Sequence, residues 1–184
     1  MKVIFLDIDG VMNCQEEMLA ILAQNPKARD KVDLPSPAKC KLLKQLVDET
    51  GARLVLSSSW RLSLNAIQKL IDLFESYSLI LSGFTCHEVD SKKFKNTPYE
   101  DIKPMYQHNI GDFGTYIEDR GAEIAAWLLD HPTVENFVIL DDEFSDILNW
   151  HPNNLVKTSL YSGLTKEDIL KCIEILNGGS YETK

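Results

Sequence analysis

The sequence contains no long apolar run, because no window of its 184 residues reaches the roughly 18 apolar residues that a membrane span requires. Its first ten residues, MKVIFLDIDG, include an apolar run of four that stops at Asp7. Such a run is too short for the core of a signal peptide. We therefore expect a soluble, cytoplasmic protein with no membrane partner.

Cysteine and histidine are scarce, and neither is spaced as a metal ligand. The four cysteines lie far apart without a CxxC pair, which favours reduced thiols over a zinc site or a disulfide framework. The four histidines lack the i, i+4 spacing of helical metal sites. A histidine-based or cysteine-based metal site is therefore not expected.

Positive charge is also in short supply, with 19 Lys plus Arg against 28 Asp plus Glu and a formal net charge of −9. Binding to duplex nucleic acid depends largely on basic residues that track the phosphate backbone. The charge balance therefore argues against an extended duplex-binding surface. A basic pocket around a single phosphate remains compatible with it.

Short apolar runs that are typical of buried parallel strands alternate with amphipathic helical patterns. We expect strands at residues 3–6, 53–56, 79–81, 137–140 and 155–156, and helices at 15–25, 37–50, 67–74, 124–128 and 165–176. This alternation predicts an α/β fold with a doubly wound, Rossmann-like central parallel sheet and helices on both faces. A length of 184 residues favours a single domain that spans residues 1–184.

Two segments fit this alternation poorly and are interpreted as small insertions, at about residues 12–35 and 84–117. In the second, helical periodicity gives way to prolines and glycines among polar and aromatic residues. The segment is too long for an ordinary connection, and too short for a cap domain with a core of its own. We expect a flap beside a nearly open site.

Acidic and hydroxyl side chains follow three of the expected strands. Asp7 and Asp9 come after the first strand, Ser57 ends the second, and Asp141 and Asp142 end the fourth. Because ligands of parallel α/β sheets bind beyond the carboxyl ends of the strands, these side chains are expected to share one site. Clustered carboxylates repel each other unless a hard cation such as Mg²⁺ neutralises them. The sequence therefore predicts a magnesium site at this edge.

Three segments resemble motifs of the haloacid dehalogenase (HAD) superfamily of phosphatases. VIFLDIDGV at residues 3–11 matches the first motif, a hydrophobic strand followed by DxDG. LVLSS at 54–58 matches the second motif, and ILDDE at 139–143 matches the acidic fourth motif. The combination of DIDGVMN, SSSWR, RGAEIAAWL and VILDDE resembles, more narrowly, the HAD domain of Swiss-army-knife RNA repair proteins.

This resemblance implies a role for each matched residue. Asp7 would attack phosphorus and form an aspartyl-phosphate, while Asp9 would protonate the leaving group and then activate water. The Asp7 carboxylate, the Asp9 backbone carbonyl and Asp142 would hold Mg²⁺, and Ser57 and Arg120 would grip the phosphoryl oxygens.

Two assignments stay open at this point. The basic residue of the third motif is best matched by Arg120 in DRGAEIAAWL, with Lys103 as the alternative. In DDEFSD, the acidic ligands are either the pair Asp141 and Asp142 or include Asp146, because both registers fit the motif.

Three further residues are candidates for phosphate or substrate binding. Ser58 follows Ser57 and equally fits a helix cap. Arg61, after Trp60, fits a second phosphate contact or a structural role. Asn13 lies just past DGVM and is near enough to the expected site to contact substrate.

An open site favours a phosphomonoesterase that acts on a nucleotide or a polynucleotide end, and the negative net charge keeps a small phosphorylated metabolite nearly as favoured. A different class is a receiver-like domain that accepts a phosphoryl group without turnover. DxDG on the first strand opposes that interpretation. A non-catalytic binding module is a third class, and it is disfavoured because every expected acidic position is filled.

Overall fold

The computed structural model describes residues 1–27, 34–86, 89–90, 116–117, 119–143 and 145–179. The strands are β1 (Lys2–Leu6), β2 (Arg53–Leu56), β3 (Leu81–Phe84), β4 (Val89–Asp90), β5 (Tyr116–Ile117), β6 (Asn136–Asp141) and β7 (Leu155–Lys157). The α-helices are α1 (Gln15–Gln24), α2 (Pro37–Thr50), α3 (Leu64–Ser76), α4 (Arg120–Asp130), α5 (Ser145–Trp150) and α6 (Lys166–Leu176), and a 3₁₀ helix covers Ser59–Leu62.

Five of these strands form a parallel sheet in the order β3-β2-β1-β6-β7. The chain fills one side of β1 first, then crosses to the other side with β6 and β7. This reversal is the topological switch point at which doubly wound sheets bind ligands. The predicted fold class is confirmed, and the expected site lies at the carboxyl ends of the three central strands.

Alternate residues of β1 enter two cores on opposite faces of the sheet. Ile4 and Leu6 pack with residues of α2, α3 and α6 on one face. Val3 and Phe5 pack with residues of α4 and α5 on the other. Because successive side chains of a strand point to opposite faces, an uninterrupted apolar run is what a strand buried on both sides requires.

Helix boundaries follow local capping chemistry. The Ser36 hydroxyl accepts a hydrogen bond from the Lys39 backbone N–H at 3.2 Å, and α2 ends at Gly51 with φ +65°. Thr165 and Asp168 form a reciprocal capping box at the start of α6. The predictions of a helix from 37 to 50 and of a capped last helix are confirmed.

The prediction of a strand at residues 79–81 is wrong in position, because β3 runs from Leu81 to Phe84. The Leu79 backbone N–H donates to the Phe74 carbonyl at 2.9 Å and so closes the end of α3, while Ile80 is 75% exposed. As an edge strand with one neighbour, β3 tolerates a polar and glycine-containing sequence. The apolar run therefore marked the turn before the strand.

Helix α5 was not predicted from the sequence. Its six residues are too few for a periodic pattern, and it is placed by the burial of Ile147 in the core beneath α4.

The two predicted insertions lie partly outside the described residues. Within 12–35, the structure shows α1, none of whose residues is buried. Within 84–117, it shows the end of β3 and an antiparallel pairing of β4 with β5. Among the described residues, no helix combines the length and apolarity that crossing a membrane requires.

Candidate active site

Backbone pairing places the polar ends of three strands side by side. The Asp7 N–H donates to the Leu140 carbonyl at 2.9 Å, and the Ser57 N–H donates to the Leu6 carbonyl at 2.8 Å. Asp141 is the last residue of β6. Asp7, Ser57 and Asp141 are all buried, with 8%, 1% and 4% exposure. The sheet register therefore fixes these three side chains in one small region.

Three carboxylates meet at this edge. Asp7, Asp141 and Asp142 each offer an oxygen, and these oxygens all lie within 4.8 Å of one another. Gly10 makes the approach of Asp142 possible, since a Cβ at Gly10 would lie 2.3 Å from the Asp142 Cγ. Gly10 also has φ +71°, and its carbonyl accepts a hydrogen bond from the Thr158 hydroxyl at 2.8 Å. The turn after β1 is thus shaped to admit Asp142.

Burial disfavours the ionised form of all three clustered carboxyl groups. Burial raises the pKa of Asp7 from 3.8 to about 6, against the lowering effect of Arg120. Burial and the nearby Asp7 raise the pKa of Asp141 to about 7, and burial raises the pKa of Asp142. A divalent cation would relieve this repulsion, and carboxylate oxygens are ligands that suit Mg²⁺. The donor set therefore fits the predicted metal.

Asp9 lies apart from the three clustered carboxylates and is exposed. Its Oδ1 accepts a hydrogen bond from Asn13 Nδ2 at 2.8 Å, and its Oδ2 accepts one from Trp60 Nε1 at 3.0 Å. The Asp9 side chain is thus held at the rim of the site. This position fits a proton-transfer group better than a carboxylate ligand of a metal.

Arg120 reaches the cluster from the first turn of α4. Its Nη1 lies 3.4 Å from Asp7 Oδ1 and 3.6 Å from Asp141 Oδ2, and it donates to the Ser57 carbonyl. The helix begins there because the Asp119 carboxylate caps it, accepting from the Ala122 N–H at 2.9 Å. The structure therefore brings Arg120 into the site, whereas Lys103 lies outside the described residues.

Glycine is also required at the second position of α4. A Cβ at Gly121 would lie 2.3 Å from Trp150 Cδ1 and 2.9 Å from the Asp146 carbonyl oxygen. Helix α5 thus packs directly on the first turn of α4. This contact fixes the turn that carries Arg120.

Ser58 and Arg61 contact protein groups around Asp7. The Ser58 hydroxyl accepts from the Trp60 N–H at 3.4 Å, and a hydrogen bond from Ser58 to Asp7 lowers the pKa of Asp7. Arg61 Nη1 donates to the Ser58 carbonyl at 2.6 Å, and its Nη2 lies 2.6 Å from Glu123 Oε2. Arg61 is therefore held within the protein beside the site.

Asp146 does not join the clustered carboxylates among the described residues. It is exposed in the first turn of α5, where it accepts a hydrogen bond from the Ser145 hydroxyl at 3.3 Å. The geometry thus favours Asp141 and Asp142 over Asp146 as the acidic pair. The roles of all these residues remain predictions.

Trp60 and Glu123 were not singled out from the sequence as site residues. Trp60 belongs to the SSSWR segment that carries the second motif, and Glu123 lies one helical turn after Arg120 in the RGAE segment. Their partners are far away in the chain: Trp60 contacts Asp9, and Glu123 contacts Arg61. Only information about contacts between residues distant in the chain could have identified them.

Two cavities flank the cluster. The first, of about 200 Å³, is lined on the cluster side by Arg61, Arg120, Glu123 and Asp141. The second, of about 230 Å³, lies between Asp9 and the start of α1. Both are smaller than the roughly 300 to 1,000 Å³ of typical drug-sized ligand sites.

The parallel sheet, the aspartates after its central strand and the acidic pair after its neighbour define a HAD-like α/β fold. Comparison with protein families agrees: the chain belongs to the family described as the HAD domain in Swiss Army Knife RNA repair proteins, which matches residues 3–169. This is a phosphohydrolase family, and HAD proteins generally use Mg²⁺. No curated protein and no solved structure matches the chain.

Proposed function

We propose that this chain is a Mg²⁺-dependent phosphomonoesterase that works through an aspartyl-phosphate on Asp7. The observation that supports this most strongly is the arrangement around Asp7. Two further carboxylates lie within 4.8 Å of its own, and the Arg120 guanidinium lies 3.4 Å away. A buried carboxylate with a cationic partner and a metal-type donor set is suited to attack on a phosphate ester.

Asp7 and Asp142 are the proposed carboxylate ligands of Mg²⁺, together with the Asp9 backbone carbonyl. Asp141 completes the cluster, while its Oδ1 accepts a hydrogen bond from the Glu143 N–H at 3.0 Å and its Oδ2 faces Arg120. These contacts suit Asp141 to orienting its neighbours. When bound, Mg²⁺ would neutralise the carboxylates and offset the charge of the phosphoryl oxygens.

The proposed reaction has two steps. In the first, an Asp7 oxygen attacks phosphorus, the bond from phosphorus to the leaving oxygen breaks, and Asp9 gives that oxygen its proton. In the second, Asp9 takes a proton from water, the water oxygen attacks phosphorus, and the bond to Asp7 breaks to release phosphate. Asp9 thus ends the cycle protonated, as it began.

Arg120 and the serines at the end of β2 are proposed to bind the phosphoryl oxygens. Arg120 is one quarter exposed, contacts Asp7 and lines the first of the two cavities. Ser57 and Ser58 are buried beside the nucleophile. Fixed donors placed around the phosphoryl group stabilise the charge that develops during transfer.

The proposed substrate is a nucleotide or a polynucleotide end, on the strength of the family's description and of the short sequence insertions, which hold too few residues for a cap domain with its own core. The net charge of −9 argues that such a substrate is held near its terminal phosphate and not along an extended backbone. A small phosphorylated metabolite is the alternative, since the flanking cavities of about 200 and 230 Å³ also suit small leaving groups.

The test is phosphate release from a panel of mononucleotides, oligonucleotides with 3′ or 5′ phosphates, and sugar phosphates. The wild-type protein with Mg²⁺ is compared with Asp7→Asn and with Asp48→Asn, which changes an exposed acid that lines neither cavity. We expect turnover by wild type and Asp48→Asn only. Turnover by Asp7→Asn would overturn the proposed nucleophile, and labelling by acetyl phosphate without turnover would indicate a receiver-like domain.

A further inference from the structure

Asp9 is exposed, yet each of its carboxylate oxygens has a hydrogen-bond donor from a different part of the chain. Asn13 Nδ2 donates to Oδ1 at 2.8 Å, and Trp60 Nε1 donates to Oδ2 at 3.0 Å. An exposed aspartate without such partners would exchange between rotamers on the ps to ns timescale. Two donors on opposite oxygens select one orientation of the carboxylate plane.

Trp60 is fixed by the segment that follows β2. The Ser58 hydroxyl caps the 3₁₀ helix by accepting from the Trp60 N–H, and the Ser58 carbonyl accepts from the Arg61 N–H at 3.1 Å. The indole packs, partly buried, against the core on the α2 side of the sheet. Its N–H is therefore held in place by packing, and it cannot turn away from Asp9 without exposing apolar surface.

Asn13 is fixed by the loop that follows β1. The backbone N–H groups of Met12 and Asn13 both donate to the Ile8 carbonyl, at 2.8 and 3.2 Å. This tight turn brings Asn13 back beside Asp9, with which it forms an isolated parallel bridge. The second donor thus belongs to the hydrogen-bonded turn that directly follows the proposed nucleophile, Asp7.

We propose that Trp60, assisted by Asn13, is a positioning residue that holds the Asp9 carboxylate against the leaving oxygen of the substrate. The proposal rests on the function proposed above. A carboxyl group has more acceptor sites than these two donors occupy, so its proton can still be shared with the substrate. An indole N–H donates only and does not ionise at neutral pH, so Trp60 can orient Asp9 but cannot replace it as the acid.

Dependence on the leaving group distinguishes this role from a structural one. Protonation matters most for poor leaving groups such as alkoxides, and least for activated phenolates. The first irreversible step is cleavage of the bond from phosphorus to the leaving oxygen, and kcat/KM reports on this step. A misplaced acid should therefore lower kcat/KM for alkyl phosphates and spare 2,4-dinitrophenyl phosphate.

The experiment compares Trp60→Phe with Trp127→Phe. Trp127 lies on the other face of the sheet, stacked on His131 and in edge contact with Phe5, so the same chemical change is made away from Asp9. We expect Trp60→Phe to lower kcat/KM for an alkyl phosphate about tenfold, as loss of one hydrogen bond predicts, and to leave the activated ester within about twofold. Trp127→Phe should change neither.

Asn13→Ala provides a second variant if Trp60→Phe is poorly folded, and it should show the same dependence on the leaving group. Equal losses on both esters, or no loss on either, would overturn the positioning role. Asp9→Asn, measured on the same two esters, separates failure of the positioning role from failure of the proposed function. If Asp9→Asn retains full activity on the alkyl ester, the acid assignment itself is wrong, whatever Trp60→Phe does.

Discussion

Arg61 Nη2 lies 2.6 Å from Glu123 Oε2, and the two side chains are only 5% and 4% exposed. The same Glu123 oxygen lies 3.8 Å from Arg120 Nε. Burial lowers the pKa of Arg61 and raises that of Glu123, while the attraction between the two charges opposes both shifts. One buried carboxylate thus joins the segment after β2 to the helix that carries Arg120.

Breaking this pair should be costly. Glu123→Gln leaves the Arg61 charge buried without its counterion, and loss of one partner of a buried ion pair typically costs about 3 to 5 kcal/mol. The expected result is a decrease of that size in the free energy of unfolding, measured by urea denaturation. The control is Asp48→Asn, which breaks the exposed i, i+4 pair with Lys44 and should cost less than about 1 kcal/mol. Equal effects of the two variants would contradict the structural role of Glu123.

Gly10 should be required for Mg²⁺ binding for a steric reason that does not apply to Gly51. Both have positive φ, +71° and +65°, but a Cβ at Gly51 meets nothing within 4 Å. Gly51→Ala should therefore cost only the backbone strain of about 1 kcal/mol. Gly10→Ala must in addition displace Asp142, so we expect it to abolish Mg²⁺ binding measured by calorimetry. Unchanged Mg²⁺ affinity in Gly10→Ala would show that Asp142 is not a ligand.

Asp142 and Asp146 offer a direct test of which acidic residues serve the metal. Asp142→Asn removes a member of the carboxylate cluster, whereas Asp146→Asn changes an exposed residue outside it. Changes even to groups that only support a ligand cost about 10- to 100-fold in metal affinity, so loss of a ligand should cost at least as much. Calorimetric titration with Mg²⁺ should show weakened binding for Asp142→Asn alone. The reverse pattern would favour Asp146 as the ligand.

Without divalent cations, the acidic cluster should make the protein less stable as the pH rises. The pKa of Asp7 is raised from 3.8 to about 6, and that of Asp141 to about 7. Between about pH 4 and pH 7 these two groups therefore bind more protons in the folded protein than in the unfolded chain, and their contribution lowers the free energy of unfolding as the pH increases. Asp7→Asn should flatten this dependence, as measured by urea denaturation in the presence of a chelator.

His151 affects the pH dependence of the free energy of unfolding in the opposite direction, so wild type must be compared with Asp7→Asn. Burial lowers the pKa of His151 to about 4, so its contribution to stability is lost as the pH falls. This contribution is common to wild type and Asp7→Asn, and it cancels in the difference. Identical pH profiles for the two proteins would contradict the raised pKa of Asp7.

Patterns that depend on neighbouring residues were predictable from the sequence. The buried strand before Asp7 and the helix between Ser36 and Gly51 follow from local burial and capping, and the structure confirms both. The strand at 79–81 was misplaced because three apolar residues do not distinguish a strand from the turn before it. Helix α5 was missed because its six residues are positioned by contact with α4.

The part of the site that lies at the strand ends was predictable from the sequence. Asp7, Ser57 and Asp141 could be grouped because parallel strands end at a common edge. The contacts of Trp60 with Asp9 and of Arg61 with Glu123 could not be predicted in this way. The first joins two residues that are 51 positions apart in the chain, and the second joins two that are 62 positions apart. Such pairings depend on how the 3₁₀ helix turns after β2, which no local pattern encodes.

We expect Asp7 to become phosphorylated during turnover. The most direct measurement quenches the protein in acid during reaction with a phosphate ester and Mg²⁺, reduces it with borohydride, and maps the peptides by mass spectrometry. Borohydride converts an aspartyl-phosphate to homoserine, so we expect homoserine at position 7 in the wild-type protein and none in Asp7→Asn. Steady turnover with an unmodified Asp7, or with the modification at another aspartate, would contradict it.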